Sequence, residues 1–170
     1  MGETSGASIF SRGGVALPRA VRGDGAWITD ATGRRYLDAA GGAIVVGIGH
    51  GRRAVAADAA EQMGRIAYAH GSAFTADPLE AWAAELGPLL PMQRPSLYPV
   101  SGGSEAAETA LKMVRAYWLA HGEPERTVVV GRWGSYHGNT LGALDLSGRR
   151  GLRAPYEPWL GRFEIGRAHV

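Results

Sequence analysis

Ser101-Gly102-Gly103-Ser104-Glu105-Ala106 is the stretch on which the reading of this chain turns. Upstream, Ser96-Leu97-Tyr98-Pro99-Val100 has the pattern of a short strand. Downstream, Glu105 to His121 has a helical pattern, stopped by His121-Gly122 with Pro124 just beyond. A small-residue turn feeding a helix start can hold a phosphate. Its first N–H groups are unpaired, and the positive end of the helix dipole faces the anion. Glycine lets the backbone approach closely, and a serine hydroxyl adds a donor. The same residues also begin helices for capping alone, so both readings stay open at this point.

A second segment narrows the choice. Thr127-Val128-Val129-Val130-Gly131 is a β-branched strand pattern, followed by Arg132-Trp133-Gly134-Ser135-Tyr136-His137-Gly138-Asn139-Thr140. Two strand-loop-helix units in succession predict a parallel sheet with crossover helices, an α/β architecture. Ligands of such sheets sit beyond the carboxyl ends of the strands. Tyr136 and His137 are therefore expected on the same edge as the Ser101–Ser104 loop. A flat aromatic beside a phosphate cradle suits a phosphorylated cofactor with a ring. Taken singly, Tyr136 and His137 also read as ordinary loop side chains.

Outward from these motifs, Val15 to Asp38 alternates and turns, with Gly23-Asp24-Gly25 and Thr32-Gly33 as tight-turn signals. It predicts a small antiparallel meander. Val55, Ala59, Met63 and Ile66 are spaced for an amphipathic helix. Leu79, Trp82, Ala83, Leu86 and Leu90 repeat that spacing after the start signal Asp77-Pro78. Glu108 lies four residues before Lys112, the spacing of a surface helix ion pair.

Four blocks, in order, resemble the N-terminal part of a class III aminotransferase, a pyridoxal-phosphate enzyme of fold type I. They are Gly25-Ala26-Trp27-Ile28-Thr29-Asp30 with Gly33 to Asp38; Gly41-Gly42 through Gly49-His50; Val100 to Ala106 running into Glu108-Thr109-Ala110-Leu111-Lys112; and Tyr136 to Thr140. The resemblance implies a partial fold type I large domain, a parallel-type sheet with flanking helices, preceded by a β-meander of the small domain. It implies pyridoxal 5'-phosphate as cofactor, with Ser101, Gly102, Gly103 and Ser104 around its phosphate, Tyr136 on its ring, and His137 and Gly138 close by. Ala43 and Ile44 would line the substrate pocket. The complete enzyme would move an amino group between an amine or amino acid and a keto acid, as a homodimer. An aminomutase, a racemase or a decarboxylase of the same family shares these motifs, and a non-catalytic phosphate-binding module is the reading from another class. The only lysine of this chain is Lys112. The family's cofactor-binding lysine falls far downstream of these motifs, so no catalytic residue is assigned here and the chain alone is expected to be inactive.

Composition fits this reading. Eighteen basic residues against sixteen acidic give a net charge of +2, without a basic cluster interleaved with aromatics, so nucleic acid is not expected. Without cysteine there is no disulfide or thiolate metal site, and no metal is expected. No apolar stretch is long enough for a membrane, and a cytoplasmic location is the default. The expected organisation is a flexible arm over 1–14, the meander and pocket segment over 15–50, and the first part of the cofactor-binding domain over 51–163. The final stretch, 164–170, Glu164-Ile165-Gly166-Arg167-Ala168-His169-Val170, reads back as GAG ATC GGA AGA GCA CAC GTC. After its first base that string matches a sequencing adapter, which predicts a tail foreign to the fold.

Overall fold

The structure is a computed structural model and describes residues 15–161 and 163–166. The expected arm over 1–14 lies outside these residues. The chain divides into two units, Met1–Glu80 and Ala81–Val170.

In the first unit, β1 (Ala20–Asp24), β2 (Trp27–Asp30) and β3 (Arg35–Leu37) form an antiparallel sheet in that order. The predicted meander is present. Gly25 (φ 55°) and Gly33 (φ 87°) occupy the left-handed conformation that its two turns require. The sheet is tied off by Asp30, whose carboxylate accepts from the Thr32 N–H and hydroxyl, the Arg34 N–H and the Tyr36 hydroxyl. Beyond it comes a single turn, α1 (Gly41–Ile44), with positive φ at all four residues, 66° at Ala43 and 71° at Ile44 among them. A left-handed turn through a β-branched residue is costly. α2 (Arg53–Arg65) follows, and α3 (Asp77–Leu86) runs across the boundary between the two units, each where its apolar spacing places it. The α3 pattern stops short of Leu90 because Pro88 turns the chain into a 3₁₀ turn over Gly87–Leu89.

The second unit is built on α4 (Gly103–Ala120), β4 (Val130–Arg132), α5 (Leu141–Leu146), α6 (Arg150–Arg153), a 3₁₀ turn over Ala154–Trp159 and β5 (Glu164–Gly166). β4 and β5 pair in parallel, Val130 opposite Glu164 and Arg132 opposite Gly166. Two strand expectations need correction. Ser96–Val100 forms no strand: Pro99 has no N–H to give a ladder, and no described strand lies beside it. The strand expected from Thr127 begins only at Val130, where β5 supplies a partner. Of the tail, Glu164–Gly166 forms β5, and residues 167–170 lie outside the description.

The packed centre is small. Ala143 and Leu144 of α5 are buried with Asp145 and Ser147. The segment from Leu146 to Gly148 packs directly on β4. A Cβ on Gly131 would run into the Leu146 carbonyl oxygen, and one on Gly148 into that of Arg132.

Candidate functional site

α4 opens at Gly102, in extended conformation, and no side chain caps its first turn. The first intrahelical bond runs from the Ala106 N–H to the Gly102 carbonyl. The N–H groups of Gly103, Ser104 and Glu105 precede it at the positive end of an 18-residue helix. A Cβ on Gly102 or Gly103 would meet nothing within 4 Å, so the backbone here faces open space. The Ser101 N–H is turned elsewhere, donating to the Glu105 carboxylate at 2.9 Å.

The loop that carries Tyr136 and His137 meets this helix start. The Asn139 N–H donates to Ser104 Oγ at 2.8 Å. A Cβ on Gly138 would lie 2.5 Å from the same oxygen, so only glycine allows the approach. Ser104 Oγ is an acceptor in this contact, and its own O–H remains a donor. Tyr136 is half exposed, with the Arg149 guanidinium 5.3 Å from its ring centroid. The His137 N–H donates to Ser147 Oγ (2.9 Å), and that hydroxyl donates to the Ala143 carbonyl (2.6 Å). Ser147, fully buried, thus fixes the backbone next to Tyr136.

Beneath the loop, the Arg153 guanidinium donates to the carbonyls of Leu144 and Ser147 at 3.0 and 3.1 Å and meets the Asp145 carboxylate at 3.4 Å. Asp145 in turn accepts from the N–H groups of Gly161 and Phe163.

Glu108 departs from expectation. No ion pair joins it to Lys112, which is exposed on α4. Its carboxylate instead accepts from the Thr140 hydroxyl (2.6 Å) and the Ala143 N–H (3.2 Å). A carboxylate gains more from a pre-aligned helix N-terminus than from a solvated ammonium. The contacts of Glu108, Thr140 and Ser147 are announced by no motif. The available signal for Glu108 was its place one helical turn after Ser104, on the same face.

In the first unit, Ala43 and Ile44 lie in the left-handed turn, with Ile44 exposed. His50 Nε2 is 2.9 Å from Asp38 Oδ2. This contact, with the Gly42 N–H donating to the other oxygen, holds the Asp38 carboxyl below its ordinary range. Among the described residues no group of His, Cys, Asp and Glu could hold a metal ion.

Known proteins show which family the chain resembles. A family model described as Aminotransferase class-III matches residues 10–168. A protein of Bacillus subtilis described as an uncharacterized aminotransferase, YodT, is 41% identical over 133 residues, 78% of this chain and 30% of that protein. The beta-alanine–pyruvate aminotransferase of Pseudomonas aeruginosa is 36% identical over 134 residues, again 78% of this chain and 30% of that protein. An amine transaminase from an uncultivated Pseudomonas species, solved with pyridoxal phosphate bound, superposes with a TM-score of 0.84 at 31% identity, over 96% of this chain and 39% of that one. The chain thus spans about a third of the length of these relatives.

Proposed function

The chain belongs to the class III aminotransferase family, and from that premise we propose that it carries the phosphate and ring contacts of a pyridoxal-phosphate transaminase. Bound cofactor supplies an electron sink for chemistry beside an amino group. One observation above all supports the reading. Ser104, in the first turn of α4, lies against Gly138 and Asn139, in the loop that carries Tyr136. In this reading the phosphate donors and a flat ring belong to one site, and the open space around Gly102 and Gly103 suits an anion. The Gly103 and Ser104 N–H groups and the Ser104 hydroxyl bind the phosphate. Tyr136 covers a face of the ring, and His137, its backbone tied to Ser147, borders it. Ala43 and Ile44 are proposed to line the substrate pocket of the complete enzyme.

The reaction proposed for the complete enzyme is amino-group transfer between an amine or amino acid and a keto acid, by a cytoplasmic homodimer. Among the described residues no helix is long and apolar enough to cross a membrane. Lys112, exposed on α4, takes no covalent role, and the 170-residue chain alone is proposed to be inactive.

The test contrasts two variants by equilibrium dialysis against pyridoxal phosphate. Ser104→Ala removes a hydrogen bond to a charged group, worth about 1.5–3 kcal/mol. Affinity is expected to fall roughly tenfold to a hundredfold, and competition by inorganic phosphate to weaken. Tyr136→Ala is expected to shift the bound cofactor's absorbance while leaving phosphate competition unchanged. Wild-type affinity, spectrum and competition in both variants would overturn the reading.

A further inference from the structure

Resting on that reading of the site, we propose that Glu108 is the positioning residue that sets the spacing between the phosphate cradle and the ring-bearing loop. Two contacts, one turn apart on the same face of α4, reach two consecutive residues of the loop. Ser104 Oγ takes the Asn139 N–H at 2.8 Å. Glu108 Oε1 takes the Thr140 hydroxyl at 2.6 Å and, two residues into α5, the Ala143 N–H at 3.2 Å. One contact would act as a pivot; two fix direction as well as distance.

The sequence around Glu108 is fitted to this task. Thr140 stands at the N-cap of α5, yet its side chain does not cap that helix. Its hydroxyl is spent as a donor to Glu108, which accepts the α5 first-turn N–H in its place. Gly142 leaves room for the carboxylate: a Cβ there would lie 2.7 Å from both oxygens. The carboxylate also brings negative charge to a helix N-terminus, where it is favoured.

The division of labour follows. The phosphate donors sit on α4 itself and do not need Glu108. Tyr136 sits on the loop and keeps its place over the ring only while the loop is held at both points. Loss of Glu108 is therefore expected to weaken ring-dependent binding and to spare phosphate binding, a split that general damage to the fold would not produce.

The experiment uses Glu108→Ala, Glu108→Gln and Gly142→Ala with two probes, pyridoxal phosphate and inorganic phosphate, and reads amide hydrogen exchange without ligand. In Glu108→Ala the Asn139 and Ala143 amides are expected to exchange at least about tenfold faster, with Leu111 to Arg115 unchanged. Pyridoxal phosphate affinity is expected to fall about tenfold and phosphate affinity to stay within about twofold. Glu108→Gln keeps an acceptor oxygen and is expected to recover most of both. Gly142→Ala, by displacing the carboxylate, reproduces the alanine phenotype even if Glu108→Ala fails to fold. Equal loss of both affinities, or unchanged loop exchange in Glu108→Ala and Gly142→Ala, would overturn the proposal. If the unaltered chain binds no pyridoxal phosphate while the loop amides respond as expected, the site reading fails and the two-point attachment stands.

Discussion

Four hydrogen bonds converge on the carboxylate of Asp30, a side chain only 7% exposed. The Thr32 hydroxyl first, then the Tyr36 hydroxyl, hold it at about 2, against an ordinary 3.8. The same contact pushes the Tyr36 phenol above its ordinary 10. The signs are opposite in consequence. Asp30 stabilises the folded sheet above about pH 4, and that contribution is lost as pH falls toward 2. Tyr36 stabilises it while neutral, and the contribution is lost as pH rises past about 10. Asp30→Asn is therefore expected to lower Tm near neutral pH, with the gap to the unaltered chain narrowing as pH approaches 2. A gap constant from pH 6 to 2, read by circular dichroism melts, would contradict this.

At the scale of elements, contact between β4 and the segment after α5 depends on two absent side chains. Gly131→Ala or Gly148→Ala would drive a methyl into a backbone carbonyl, which cannot swing aside as a flexible side chain can. Each is expected to cost about 1–3 kcal/mol, read as a lowered urea midpoint. Gly151→Ala, in α6 with nothing within 4 Å of its Cβ, is expected to be neutral or mildly stabilising. The contrast also shows what was legible in sequence. Local chemistry was: the stop of α4 at His121-Gly122, with Gly122 at φ 73°, and the turns at Gly25 and Gly33. The meeting of Ser104 with the Gly138-Asn139 loop was not, because one of the two strands from which a shared edge was expected does not form. Choices settled by non-local partners were not. Ser96–Val100 has strand-like residues but no described neighbour to pair with. Glu108 prefers two donors more than thirty residues away to the lysine one turn ahead. The left-handed turn was equally hidden, because Ala43 and Ile44 carry no signature of positive φ.

For the molecule as a whole, surface is the telling quantity. In the second unit Val128, Val130, Met113, Val114 and Tyr117 are all at least about half exposed, so much of its apolar side-chain surface meets solvent. A short parallel pair also leaves strand edges open to other chains. The isolated chain is expected to self-associate at micromolar concentration and to bind a hydrophobic dye, as sedimentation and fluorescence would report. A monodisperse monomer with one cooperative melting transition would refute the expectation.

Asp145 gathers its contacts onto a single anion. The Arg153 guanidinium meets it from α6, and the Gly161 and Phe163 N–H groups meet it from the residues just before β5. One carboxylate thus works as a rivet, joining α6 to the approach of the strand that pairs with β4.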